Sequence, residues 1–323
     1  MTAPAVSVVL PTYNRASTLQ RAIDSVLNQT FSDLELIVVD DGSTDATRDV
    51  VASYKGHSNV RVIGIPHNGC AAARNVGIRA SRGRYVAFQD SDDEWEPNKL
   101  AAATSALDGT DAGTGVFYSD MLMILRDGRS SVLVSPEVTP GALIDERTLD
   151  YQVRCIGIQS AVIKRECFQQ AGCFDEALPR LIDLELFIRL ADAYRFVRSP
   201  EPLVKYHYGD GISSNTEALV RARRHLLQKY GARLRHHRRH VAGQYLYLAL
   251  ALEDNRERLA SQGYFLRALL TSPPHARLMN SVVDLARALQ RAATVSTVRP
   301  SAARLVTAAA GAAPPVPGGR DDT

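Results

Sequence analysis

Four acids fall within five positions in Asp90-Ser91-Asp92-Asp93-Glu94, directly after the apolar run Tyr85-Val86-Ala87-Phe88. Carboxylates so close together repel one another unless a cation or a set of hydrogen-bond donors holds them. Aspartate offers hard oxygen ligands on a short stem, which suits Mg2+ or Mn2+ and makes this stretch a candidate wall of a divalent-metal and nucleotide-diphosphate site. Taken alone, the stretch reads better as a solvated acidic turn capping the next helix, because acids are ordinary turn and cap residues. The residues upstream reverse that preference.

Tyr13 follows the first apolar run and offers a flat π face on which a nucleotide base can stack, an interaction worth about 1–3 kcal/mol per base; it can equally lid a sheet edge. Asp41 follows the second run, where it can also cap a helix together with Ser43. Arg74 sits in the small-residue stretch Cys70-Ala71-Ala72-Ala73-Arg74, and its planar fork suits a base carbonyl or a phosphate, or else a salt bridge to Asp40 or Asp90. Asn68-Gly69 is a turn whose backbone can pass close to a ligand. Asp183 lies in the first turn of an amphipathic stretch, and His207 follows a strand-like run.

These residues need a scaffold, and the hydrophobic periodicity supplies one. Val6-Ser7-Val8-Val9-Leu10 reads as a strand stopped by Pro11, and Leu19, Ala22, Ile23, Val26 and Leu27 recur at helical spacing. Residues 34–39 form a second strand, with Ser43 or Thr44 capping a helix that runs to about Tyr54. Residues 60–65, 70–80 and 85–88 read as strand, helix and strand. Strands alternating with helices imply a mostly parallel sheet covered on both faces, with its ligand site beyond the carboxyl ends of the strands. Four polar loops, residues 11–15, 40–45, 66–70 and 90–94, converge on that edge.

Beyond a helix after Pro97, residues 116–125 and 131–134 flank Asp127-Gly128, a hairpin signal. Residues 158–163 read as a strand, 164–170 and 182–190 as helices, and 195–197 and 203–208 as two strands. From about Ser214 only helices are expected, ending near 234, then at 240–254, 257–270 and 278–293. Residues 296–323 lack the bulky apolar residues that would offset ordering entropy and are expected to be disordered.

The 323 residues carry a net charge of +3, which suggests no nucleic-acid partner, yet residues 221–240 hold eight Lys/Arg and four His with no acid. That run is expected to be a solvated helix face, with peripheral contact to an anionic membrane as its functional alternative. The four cysteines show neither a C-x-x-C pair nor zinc-site spacing, which fits reduced thiols. With no leader-like start and no apolar run near the ~20 residues of a bilayer span, a cytoplasmic protein is expected, soluble or peripheral at the inner face of the membrane.

The ordered set Pro11-Thr12-Tyr13-Asn14, Val39-Asp40-Asp41-Gly42-Ser43, Asn68-Gly69, Ala73-Arg74-Asn75 with Gly77, Gly83, and Asp90-Ser91-Asp92-Asp93 resembles the family 2 inverting glycosyltransferases across residues 6–213. The resemblance implies an α/β GT-A nucleotide-diphospho-sugar transferase fold, here with an all-helical C-terminal extension. It divides the chain into 1–213 (a nucleotide-binding half, 1–96, and an acceptor half, 97–213), the extension 214–295 and the tail 296–323. It implies that Pro11, Tyr13, Asn14, Asp41, Asn68, Arg74, Asp90 and Ser91 bind the donor nucleotide-sugar, with Asp41 accepting from a uracil or thymine imide and Asp90 contacting ribose. Asp92 would coordinate Mn2+ or Mg2+, Asp93 would support it, and His207 would be a further metal or diphosphate contact. Asp183 would be the base that deprotonates an acceptor hydroxyl. Ile182 stands where the family usually has Glu, which touches a secondary acceptor contact more than the base. The expected reaction is transfer of a sugar, most simply from a UDP-sugar, to a hydroxyl-bearing glycan, lipid-linked or small-molecule acceptor, in cell-surface polysaccharide or other glycoconjugate biosynthesis. The alternatives are a nucleotidyltransferase, which predicts a glycine-rich phosphate loop that residues 11–15 lack, and a non-catalytic sugar-nucleotide binding protein. The absence of G-x-G-x-x-G after a strand argues against a dehydrogenase.

Overall fold

The computed structural model describes residues 3–145, 148, 150–208, 215–254 and 257–272. In chain order these form β1 (Val6–Thr12), α1 (Leu19–Leu27), β2 (Leu34–Asp40), α2 (Thr47–Ala52), β3 (Val60–Gly64), α3 (Cys70–Ala80), β4 (Tyr85–Phe88), β5 (Glu94–Trp95), α4 (Lys99–Asp108), β6 (Thr114–Ile124) and β7 (Ser130–Leu133). There follow β8 (Ile144–Asp145), β9 (Asp150–Tyr151), a 3-10 turn (Ile158–Ser160), β10 (Val162–Lys164), α5 (Cys167–Ala171), α6 (Ile182–Ala193) and β11 (Arg195–His207). The helices α7 (Thr216–Lys229), α8 (Gly231–Leu234), α9 (Arg238–Asp254) and α10 (Arg258–Thr271) complete the described chain. The helix expected at 278–293 and the tail at 296–323 lie outside the described residues. The chain divides into two compact units, Met1–Leu226 and Leu227–Thr323.

In the first unit a nine-stranded sheet runs β3-β2-β1-β4-β10-β6-β11-β5, with β7 paired to β6. Strands β1 to β4 are mutually parallel, as the alternation of strands and helices implies, and β10 enters antiparallel between β4 and β6. Alternating side chains bury both faces. Val8, Leu10, Leu36 and Val38 pack with Leu19, Ile23 and Val26 of α1 and Leu100 and Ala103 of α4. Ile37 and Val39 point the other way, onto Ala73 of α3. Gly77 is what lets α3 lie against β1, because a Cβ there would fall inside the side chain of Val9.

Several elements differ from expectation for identifiable reasons. β1 continues through Pro11, because its pairing with β4 ends at Val9 and Phe88, so the missing proline N–H falls where no partner strand remains. Neither Ser43 nor Thr44 caps α2: its N-cap is Ala46, and Asp45 just before it accepts from the Thr47 N–H at 2.9 Å. The run 158–163 is a 3-10 turn before a short β10. The strands expected at 195–197 and 203–208 are one strand, with register shifts around Pro200 and Pro202 where prolines cannot donate to the ladder. β5, β8 and β9 are two-residue strands with no periodicity to reveal them.

Lys99 opens α4 fully buried, its Nζ without a hydrogen-bond partner and 4.0 Å from the centre of the Trp95 ring. Burial pulls its pKa down to about 7, while the ring face favours the charged form and opposes part of that shift. Between that value and the unfolded lysine value of about 10.4, the unfolded chain holds a proton that the folded chain has released. Stability therefore rises with pH across that window, by at most about 1.4 kcal/mol per pH unit from this group. Lys99→Met is expected to raise the urea midpoint at pH 7 and to flatten its rise toward pH 9; a variant with the wild-type midpoint and slope would contradict this.

Candidate active site

The loops after β1, β2, β3 and β4 meet at the carboxyl edge of the sheet, and hydrogen bonds lace them together. Asn14 takes the left-handed conformation (φ 51°), donates its N–H to Ser43 Oγ (3.0 Å) and accepts at Oδ1 from the Thr44 N–H (2.8 Å). Asp41, 3% exposed, accepts from the backbone N–H groups of Asn68 (2.8 Å) and Gly69 (2.9 Å). Gly69 reaches that position at φ 89°, a region that disfavours side chains. His67 Nδ1 lies 2.8 Å from Asp41 Oδ2, an acceptor, so Nδ1 carries the proton. The His67 ring stacks on Tyr13 with centroids 4.0 Å apart, leaving Tyr13 one open face. Asp41 is thus held by the turn after β3, and the exposed side chain of Asn68 takes part through its backbone alone.

Arg74 joins the two halves of the sheet. It is 4% exposed, and it donates from one terminal nitrogen to Asp90 Oδ1 (2.6 Å) and from the other to Asp183 Oδ1 (3.0 Å). Phe174 lies against its guanidinium at 5.4 Å. Its fork is therefore taken by two carboxylates, one of them the Asp90 partner weighed from sequence; Asp40 pairs with Arg48 instead. Asp183 is the second residue of α6 and caps nothing with its side chain. It also accepts from the Ile158 N–H in the 3-10 turn, and burial raises its pKa against the opposing pull of Arg74. The residue that introduces α6, Leu181, has φ 59°, an uncommon conformation for a branched side chain and a local strain of about 1–3 kcal/mol.

The acidic run is held unevenly. Asp93 is buried, accepting from the His207 N–H (2.9 Å) and from Gln159 Nε2 (3.1 Å); burial, then the neighbouring Asp90, pushes its pKa well above the carboxylate range. The Asp92 side chain is 40% exposed, with Arg15 at 3.6 Å, and Arg21 donates to the Asp92 carbonyl at 2.5 Å. Its pKa is raised by burial and by Asp90. Ser91 is buried beside it. His207 donates its backbone to Asp93 while its Nε2 lies 2.7 Å from Glu94. Among the described residues no group of three or more His, Cys, Asp or Glu side chains is clustered as a preformed metal cage.

Tyr13, Asp41, Arg74, Asp90, Asp92 and Asp183 thus border one sheet edge, whereas Asn14 shapes a loop and Pro11 lies within β1. Sequence reasoning missed His67, Arg15, Arg21 and Gln159. Arg15 and His67 adjoin motifs already singled out, but nothing local marks Gln159, whose role arises from contact across 66 residues.

The family model described as "Glycosyl transferase family 2" matches residues 7–170. The chain belongs to that family. It is 33% identical over 243 residues to the succinoglycan biosynthesis protein ExoO of Rhizobium meliloti, covering 70% of this chain and 69% of ExoO. It is 32% identical over 190 residues to an uncharacterised glycosyltransferase of Rickettsia felis, of which the match covers 31% against 58% of this chain. Over 99 residues (30% of this chain, 39% of the relative) it is 44% identical to the putative teichuronic acid biosynthesis glycosyltransferase TuaG of Bacillus subtilis. In fold it resembles S. aureus TarS 1–349 in complex with UDP-GlcNAc (TM-score 0.60, 21% identity, 81% of each chain). It likewise resembles the mannosyltransferase PcManGT of Pyrobaculum calidifontis in complex with GDP-Man and Mn2+ (TM-score 0.53, 20% identity, 90% of this chain and 81% of that one). The sheet and its flanking helices are the GT-A fold expected from sequence, and family membership sets aside the nucleotidyltransferase alternative.

In this family 2 glycosyltransferase the three donors to Asp41 hold the β2 and β3 loops together. Asp41→Asn leaves one backbone N–H facing an amide donor and is expected to cost about 1–3 kcal/mol by urea denaturation. An unchanged midpoint would mean that the loops are held by other contacts.

Proposed function

We propose that the protein is a metal-dependent, inverting glycosyltransferase that moves a sugar from a UDP-sugar to an acceptor hydroxyl in cell-surface polysaccharide or other glycoconjugate biosynthesis. The observation that carries the reading is the bifurcated grip of Arg74 on Asp90 and Asp183, which brings a donor-side acid and a candidate base into one cleft. The UDP and UDP-GlcNAc complexes of TarS, and the succinoglycan and teichuronic acid biosynthesis roles of ExoO and TuaG, support the donor class and the pathway type.

In this reading the base stacks on the open face of Tyr13 and the ribose meets Asp90. Pro11, Asn14, Asn68 and Ser91 shape the donor-side walls, and Asp41 accepts from the uracil imide beside Asn68 and Gly69. The residues fit a divalent cation of the Mg2+ type, which takes one or two carboxylates and completes its shell with phosphate oxygens and water, so a preformed cage is unnecessary. Asp92 would hold it, relieving the repulsion from Asp90, and its binding would neutralise charge on the departing diphosphate. His207 would be a further contact, its Nε2 fixed by Glu94 in the way carboxylates commonly orient ligating histidines. Asp183 accepts the proton of the acceptor hydroxyl as that oxygen attacks the anomeric carbon in line, and the bond to the diphosphate breaks with its electron pair leaving on phosphate oxygen. Arg74 opposes the burial that raises the pKa of Asp183. We place the end of the catalytic domain near residue 213. The protein is placed in the cytoplasm, with peripheral contact of the basic run 221–240 to an anionic membrane.

Three experiments test the chemistry. Calorimetric titration of UDP is expected to tighten with Mn2+, and Asp92→Ala to remove at least tenfold of that gain; an undiminished metal effect would take Asp92 out of the metal role. Asp183→Asn is expected to keep UDP affinity within about threefold while transfer falls by roughly 100- to 10,000-fold. Arg74→Lys is expected to shift the acid limb of the kcat/KM profile to higher pH, because weaker pairing raises the pKa of Asp183 further. Retained turnover in Asp183→Asn would sink the base assignment, and absence of transfer by the wild type would favour a non-catalytic sugar-nucleotide binder.

A further inference from the structure

In the unit Leu227–Thr323, α10 packs on α9 with its polarity inverted. Its buried positions are the small residues Ser261 and Ala268. Leu259, Leu266 and Leu270 are 87%, 56% and 71% exposed. At about 100° per residue the three leucines share one stripe roughly 40° wide, opposite Ser261 and Ala268, while Arg258 and Arg267 fall about a quarter-turn to either side. A soluble helix buries its large apolar face, so an outward leucine stripe needs a covering phase.

The charge around it selects that phase. The described residues of this unit, 227–254 and 257–272, carry seven Lys/Arg against three acids. Beside the end of α10, a hollow of about 350 Å3 is lined by Leu234, Val241 and Tyr245 together with Arg235 and Arg238. Arg238 also donates to the Thr271 carbonyl at 2.7 Å, which joins the hollow to α10. Leucines flanked by arginines, next to a basic hollow with apolar walls, suit the boundary between acyl chains and phosphate headgroups. None of the described helices is long and apolar enough to cross a membrane, so the contact lies along the surface.

We infer that α10 docks this protein on an anionic phospholipid bilayer, with Leu259, Leu266 and Leu270 entering the headgroup boundary and Arg258, Arg267, Arg235 and Arg238 meeting lipid phosphates. This deepens the peripheral contact proposed for residues 221–240 by giving it an inserting element, and it does not depend on the transfer chemistry.

The test is flotation of the full chain with vesicles of phosphatidylglycerol and phosphatidylcholine, against phosphatidylcholine alone. Binding is expected only to the anionic vesicles, weakened by salt and by roughly tenfold for each of Leu266→Glu and Leu270→Glu. Calorimetric UDP binding by the same variants reports on the donor site and is expected to be unchanged, which keeps a failure of docking distinct from a failure of the transferase reading. As a readout independent of those variants, the indole introduced by Leu266→Trp is expected to be quenched by brominated lipid against the constant background of the buried Trp95. Wild-type failure to float, glutamate variants that float like wild type, or the absence of quenching in Leu266→Trp would each overturn the docking role. So would a dimer that Leu266→Glu dissociates while vesicle binding persists, because the stripe would then belong to a second copy.

Discussion

Carboxylates crowded where a strand ends cannot share a low-dielectric cleft without compensating charge or donors, and the whole carboxyl edge of this sheet answers that constraint. Arg74 is the main response. Almost fully buried, it is ionised at any working pH and divides its fork between Asp90 and Asp183, residues 93 positions apart in sequence. Removing either acid would leave the guanidinium half-satisfied, and removing the arginine would leave two acids facing each other in poor solvent. The remaining charge is distributed outward: Asp93 takes a backbone N–H and an amide, and Asp92 stays half-open beside Arg15.

The geometry that permits this grip is set by small residues. Ala73 and Gly77 bring α3 down on β1 and β2, so that Arg74 projects from a helix whose axis lies close to the strand ends. A larger residue at Gly77 would push the helix away from Val9 and carry the guanidinium with it. From the other side, the 3-10 turn Ile158–Ser160 holds both acids at once. Its Ile158 N–H reaches Asp183, its Gln159 amide reaches Asp93, and Trp95 Nε1 donates to the Gln159 carbonyl at 3.0 Å. A turn of three residues therefore sets the distance between the acidic loop and the start of α6.

Much of this was legible in the chain itself. β-branched runs identify β1 to β4, because burial on both faces of a parallel sheet leaves a strong local signature, and helical periodicity, cap residues, a small-residue stretch and Pro97 mark α1 to α4 between and after them. The polar residues that follow those runs, Tyr13, Asp41, Asn68 and Asp90 to Asp93, had to fall on one edge, since parallel strands all end on the same side. Tertiary structure alone decided the rest. The partners of Arg74, the stacking of His67 on Tyr13, the seating of Gln159 on Asp93 and the pairing of the two-residue β5 with β11 join residues far apart in sequence. Periodicity reports which face of an element is buried and is silent on what meets it there. The sequence by itself thus determined which side chains stand at the edge of the sheet, because local burial patterns set the strands and their direction. Only the fold decided which of those side chains neutralise one another, because that depends on distances between loops that no local pattern encodes.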